Sequence, residues 1–133
     1  MSSATIHWIK GKKFIGIDST NHSVVLSSPD EGIGMKPSEL LLVALGSCTA
    51  VDVVEILRKR RKPVNSLEIQ VSATQDEDPP WTFRKINVKY IISAENITPE
   101  DAKMAIELSE EKYCSVASTI KGKAEISTEF EIV

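Results

Sequence analysis

The apolar positions change period along this chain, and each change marks an element. From Leu40 to Val51 no residue is charged, and apolar side chains occupy every side of a helical projection. Leucine and alanine dominate the run and favour helix. Pro37 suits a first helical position, and Glu39 stands in the first turn, where the helix dipole favours an acid. Arg58, Lys59, Arg60, Arg61 and Lys62 put positive charge at the other end, and Pro63 stops the helix. The pattern predicts one helix from Pro37 to Lys62, apolar all round and therefore buried all round. Such a helix is either a central rod that sheets wrap or one shared with a second subunit. Cys48 ends the apolar run, so the pattern puts one thiol in the deepest part of the molecule. The Gly46-Ser47 pair before it marks a kink, a close backbone approach or simple packing against a neighbour.

Period-two patterns flank the helix. Before it, Thr5 to Lys10, Phe14 to Asp18 and Ser23 to Ser27 are separated by the turn signals Gly11-Lys12-Lys13 and Asn21-His22. They predict a small antiparallel meander, and a loop from Ser28 to Lys36 then leads into the helix. After it, Leu67, Ile69, Val71 and Ala73 alternate with Glu68, Gln70, Ser72 and Thr74. A second strand from Phe83 to Ala94 sets Ile86, Val88, Tyr90 and Ile92 on one face, and the two make a long hairpin. Thr98-Pro99-Glu100-Asp101 is a capping-box-like helix start. The helix it opens carries Ala102, Ala105, Ile106, Ser109 and Tyr113 on one face and ends near Tyr113-Cys114. A last strand alternates Ala124, Ile126, Phe130 and Ile132 with polar residues. The order βββ-α-ββ-α-β is that of an α+β domain, with no repeat or internal boundary, so residues 1–133 are expected to form one domain.

Composition narrows the function classes. A net charge of −3 argues against a nucleic-acid partner, and the RKRRK run is expected to be a solvated helix end. Asp52 and Glu55 interrupt the apolar run well short of the roughly 20 residues a membrane span needs, so no membrane association is expected. The N-terminal stretch lacks the apolar core of a signal peptide, which points to the cytoplasm. Two cysteines, Cys48 and Cys114, are too far apart for a C-x-x-C pair or a zinc cluster. They are two buried hydrophobes or a pair that meets only in the fold. His7 lies in a strand pattern and His22 in a turn, without a triad. The thiols are the distinctive reactive groups, and a thiol in apolar surroundings needs a cation or a donor to become a thiolate.

The stretches Lys36-Pro37-Ser38-Glu39-Leu40-Leu41, Ala44-Leu45-Gly46-Ser47-Cys48 and Lys112-Tyr113-Cys114-Ser115-Val116 resemble the OsmC/Ohr superfamily, over nearly the whole chain. The resemblance implies the OsmC-like fold as an intertwined homodimer, with the central helices packed in the middle and the sites at the interface. It implies that Cys48 attacks an organic hydroperoxide to give a sulfenic acid and that Cys114 resolves it as a disulfide. It implies no metal, haem or flavin; the partners are the hydroperoxide and an external thiol reductant. Leu40, Leu41 and Val51, with His22, are the expected substrate-binding residues, whose apolar walls favour an alkyl group.

Two positions depart from the family pattern. Hydroperoxide-resistance members hold the thiolate and the peroxide oxygen with an arginine from the N-terminal strands and a glutamate ten residues before the cysteine. Here the first arginine is Arg58, position 38 is serine, and Glu39 stands nine before Cys48. Nine steps of about 100° put Glu39 opposite Cys48 on a straight helix. Glu39 can act only from a distorted helix start or across a dimer, and the cation role falls to Lys10, Lys12, Lys13 or Lys36, or to donors such as His22 and Ser38. Asp52, four residues beyond Cys48, either binds a hydrogen-bond partner away from the sulfur or serves as a proton acceptor or ligand contact. Two functions follow: a thiol-dependent peroxidase, or a non-peroxidase dimer binding a small apolar or thiol-containing ligand at its interface.

Overall fold

The computed structural model describes all residues 1–133. It is a mixed α+β architecture with two sheets and three α-helices, and its residues group into two compact units, 1–41 and 42–133.

In the first unit β1 (Ala4–Lys10), β2 (Lys13–Asp18) and β3 (Ser23–Ser27) form the expected antiparallel meander in the order β1-β2-β3. Asp18 fixes the second turn by accepting from the Thr20 and His22 amides. A 3-10 turn over Pro29–Glu31 follows, and the chain then lies back on β3, with the Met35 amide donating to Val25 and the Ser27 amide to Met35. Gly34 allows this approach: a Cβ there would sit 2.7 Å from the Leu26 carbonyl carbon.

The helix α1 (Pro37–Lys59) is continuous, so the distortion that would bring Glu39 round to the cysteine side is absent. In the second unit, β4 (Val64–Gln75) and β5 (Phe83–Ala94) form the long hairpin, and β6 (Glu125–Ile132) pairs in parallel on the other side of β5. The central strand β5 buries Ile86, Val88, Tyr90 and Ile92, as its alternation predicts. Leu45, Gly46, Thr49, Val53 and Leu57 of α1 are buried at helical spacing, and the leucines and Val53 join these side chains in the core. Gly46 marks a close approach to the sheet and no kink, because a Cβ there would lie 3.0 Å from the Val71 side chain and 3.5 Å from that of Ile69.

Two expectations about α1 need correction. Within one chain only a stripe of the helix is buried; Val43, Val51 and Val54 are exposed. Cys48 is half-buried, and the thiol in the deepest place is Cys114, 2% exposed. By length and composition alone α1 could cross a membrane, but its buried stripe is committed to the core.

The helix end is more than a solvated cluster. Arg61 takes φ 62°, the Lys62 amide turns back to the Leu57 carbonyl, and the Lys62 ammonium binds Asp101. Asp101 completes a capping box with Thr98 at the start of α2 (Pro99–Leu108), accepting from the Thr98 amide and hydroxyl. Lys62 first, and then the Thr98 donors, hold its carboxyl down at about 2.

The expected second helix is subdivided. It ends at Leu108, continues as a π-turn over Ser109–Tyr113, and is followed by a short helix α3 (Ser115–Ile120) that the sequence pattern did not separate from its surroundings. Ala102, Ala105, Ile106 and Ser109 are buried as predicted, but Tyr113 is exposed. A π-turn holds one residue more than an α-turn. The residue beneath Ser109 is therefore Cys114, whose amide donates to the Ser109 carbonyl at 2.7 Å.

Two outcomes follow from this packing. Gly46→Leu forces a branched side chain against Val71 and Ile69 and is expected to destabilise the protein by about 1–3 kcal/mol in urea unfolding. Asp101 titrates below its unfolded value, so its stabilisation is complete above pH about 4 and is lost as pH falls through about 2. Unfolding measured over that window is expected to flatten in Asp101→Asn.

Candidate functional site

The second unit brings the two cysteines together. Cys48 projects from α1 and packs against the core cluster that contains Cys114, whose thiol feels it as a neighbour; both are free. The π-turn carries Cys114 inward, and an extended residue conformation, φ −81° and ψ 105°, then makes it the cap of α3. In that role the Cys114 sulfur accepts from the Ala117 amide at 3.3 Å. Burial, first, and the neighbouring Cys48, second, push the Cys114 thiol up to about 11, against the opposing pull of the Ala117 and Val116 amides. At neutral pH Cys114 is a protonated thiol, and Cys48 has the better access to solvent.

Hydrogen bonds tie the elements around this pair. The Ser109 hydroxyl donates to the Asp52 carboxylate at 2.8 Å, joining α1 to the π-turn. This supplies Asp52 with the partner that one of its two readings required. Thr49 returns its hydroxyl proton to the Leu45 and Gly46 carbonyls, at 3.2 and 3.1 Å. Glu110 accepts an ion pair from Lys121 at 3.6 Å. Beneath them, the Tyr90 hydroxyl is fully buried and has no hydrogen-bond partner.

A family model described as OsmC-like protein matches residues 29–129, a span that includes both cysteines and every element around them. The chain belongs to the OsmC/Ohr superfamily. The chain is 32% identical over 130 residues to Protein YhfA of Escherichia coli strain K12, with 98% of this chain and 97% of that protein covered. A hypothetical protein from Aquifex aeolicus VF5, known from a crystal structure, shares the fold with a TM-score of 0.90 at 28% identity, covering all of this chain and 96% of its own. An OsmC-like protein from Mycoplasma pneumoniae has the same fold, with a TM-score of 0.86 at 18% identity and 100% and 97% of the two chains covered.

The other residues that the OsmC/Ohr resemblance suggested are placed differently. In the first unit His22 and Leu40 line one groove with Ile6, Ile17, Val24 and Leu26. The His22 ring is exposed and shares a hydrogen bond with the Thr20 hydroxyl at 2.8 Å. Glu39 and Leu41 are exposed on the first turns of α1, and Val51 is exposed one residue before Asp52. Sequence reasoning missed Ser109 and Tyr90 as neighbours of the pair. Tyr90 carried a signal, since it is the one residue with a polar atom among Ile86, Val88 and Ile92 on the buried face of β5. Ser109 carried none, because its contact with Asp52 depends on the π-turn.

The thiol environments predict unequal alkylation. With iodoacetamide at pH 7 and peptide mass spectrometry as readout, Cys48 is expected to be modified first. Cys114 is expected to react about tenfold or more slowly until pH approaches 11.

Proposed function

We infer that this OsmC-like protein is a thiol-dependent peroxidase that reduces organic hydroperoxides through Cys48 and Cys114. The observation that carries the reading is the meeting of two free thiols from different elements, one accessible and one buried. Cys48, as the thiolate, attacks the distal oxygen of the hydroperoxide; the O–O bond breaks, the alkoxide takes a proton and leaves as an alcohol, and Cys48 becomes a sulfenic acid. Cys114 gives up its proton and attacks that sulfur; the S–O bond breaks, the hydroxyl leaves as water, and a disulfide forms. An external dithiol reduces the disulfide by exchange. The chemistry belongs to the side chains, and a reducing cytoplasm supplies the thiols.

The reading includes a homodimer. Val43, Val51 and Val54 form an exposed apolar face on α1, opposite the stripe buried within the chain. A second copy of the same helix is the occupant that suits it, and this recovers the all-round burial its composition calls for. No arginine precedes Arg58, so a cation acting on Cys48 is a lysine or comes across that interface.

A second reading rests on a specific cavity. Asp52, Ile56, Lys59, Met104, Leu108 and Tyr113 are among the residues that line a space of about 400 Å³ in the second unit. Its apolar walls suit a small amphiphilic ligand bound without turnover.

Steady-state consumption of cumene hydroperoxide with dithiothreitol or dihydrolipoamide separates the readings. The peroxidase reading expects faster turnover with the organic peroxide than with hydrogen peroxide, loss of turnover in Cys48→Ser, and a trapped sulfenic acid in Cys114→Ser. Turnover no faster than that of a free-cysteine peptide would leave the cavity as the functional site. Light scattering is expected to give a dimer whose dissociation constant rises at least tenfold in Val51→Glu; a monomeric wild type would contradict the dimer.

A further inference from the structure

Hydroxyls in the helices of this protein bond within their own helix: Ser47, Thr49 and Thr119 each return the proton to the carbonyl four residues back. Ser109 does not. Its hydroxyl leaves the π-turn and donates to the Asp52 carboxylate on α1 at 2.8 Å, although the serine is fully buried. This is the one hydrogen bond between α1 and the segment Ser109–Ile120. The other groups buried there, among them Val53, Leu57, Ala117 and Ile120, belong to the apolar core. Apolar burial has no preferred direction and lets two elements slide, whereas a hydrogen bond confines donor and acceptor to a narrow range of distance and angle.

Both ends of this bond lead to a cysteine. Asp52 stands four residues beyond Cys48, one turn along the same face of α1. The Ser109 carbonyl accepts from the Cys114 amide at 2.7 Å. A disulfide forms only over a narrow range of backbone separation, so a slip of the π-turn along α1 would part the two thiols. We propose that Ser109 and Asp52 are positioning residues for the cysteine pair: their hydrogen bond fixes the register of the π-turn on α1 and thereby sets how readily the Cys48–Cys114 disulfide forms. This rests on the pairing of the two thiols in the reading above. The charge of Asp52 is not what the role requires, because an amide oxygen in the same place accepts the same proton.

Equilibration of the reduced protein with graded ratios of oxidised to reduced dithiothreitol at pH 7 tests this without a hydroperoxide. The S–S bond of oxidised dithiothreitol breaks, the Cys48–Cys114 bond forms, and the two thiol hydrogens pass to the dithiothreitol sulfurs. Intact mass after capping of the remaining thiols gives the fraction of intramolecular disulfide. Ser109→Ala is expected to lower the equilibrium constant for the disulfide about tenfold, or about 30 mV, and Asp52→Leu to lower it by as much. Asp52→Asn, which keeps the acceptor and loses the charge, is expected to stay near the wild-type constant. Urea unfolding of the reduced variants checks that they fold; Ser109→Ala leaves the half-buried Asp52 its access to water and decides the question if Asp52→Leu does not fold. A wild-type constant in Ser109→Ala would overturn the proposal, and so would an Asp52→Asn constant as low as that of Ser109→Ala, which would assign the effect to charge. A wild type that forms no intramolecular disulfide at any ratio would remove the pairing and the proposal together. A wild type that pairs its thiols but does not turn over hydroperoxides would keep the proposal and remove the peroxidase reading alone.

Discussion

One backbone hydrogen bond sets the position of Cys114: its amide donates to the Ser109 carbonyl and closes a π-turn at the end of α2. An α-turn there would have continued the buried face to Tyr113 and left Cys114 pointing elsewhere. The extra residue sends Tyr113 outward, brings Cys114 beneath α1, and lets its sulfur cap α3. Ser109 is held in the same turn and binds Asp52 across to α1, so the contact between the helices and the meeting of the thiols have a common cause. π-turns interrupt regular hydrogen bonding and recur at functional positions, and here the interruption has a definite product.

The two thiols stand in different environments. Cys114 is buried and kept protonated by desolvation and by its neighbour, and Cys48 is only half-buried. No arginine precedes Arg58, and Lys121 is paired with Glu110. The Ala117 amide is the donor that the Cys114 sulfur has.

Much of the fold was legible because its signals are local. β5 alternates cleanly, its bounds are those the pattern gave, and Thr98 with Asp101 forms the capping box that the sequence advertises. The helix α1 was legible in position but not in burial. Its composition is apolar on every side, yet one chain supplies only the partners for the stripe from Leu45 to Leu57. The cysteine pair was named through resemblance, while its geometry was hidden, because a π-turn depends on tertiary packing and leaves Ser109 to Tyr113 looking like ordinary helix. Tyr90 had been counted as one more core residue, since an alternation pattern does not distinguish a buried ring from a buried ring with an unpaired hydroxyl.

The central claim is that Cys48 and Cys114 form one redox unit. Intact mass spectrometry of the reduced wild-type protein, before and after one equivalent of cumene hydroperoxide, tests it most directly. The account predicts a product lighter by two hydrogen atoms, with a Cys48–Cys114 crosslink recovered after digestion and the original mass restored by dithiothreitol. A product heavier by oxygen atoms at either cysteine with no crosslink, or no change of mass, would contradict it.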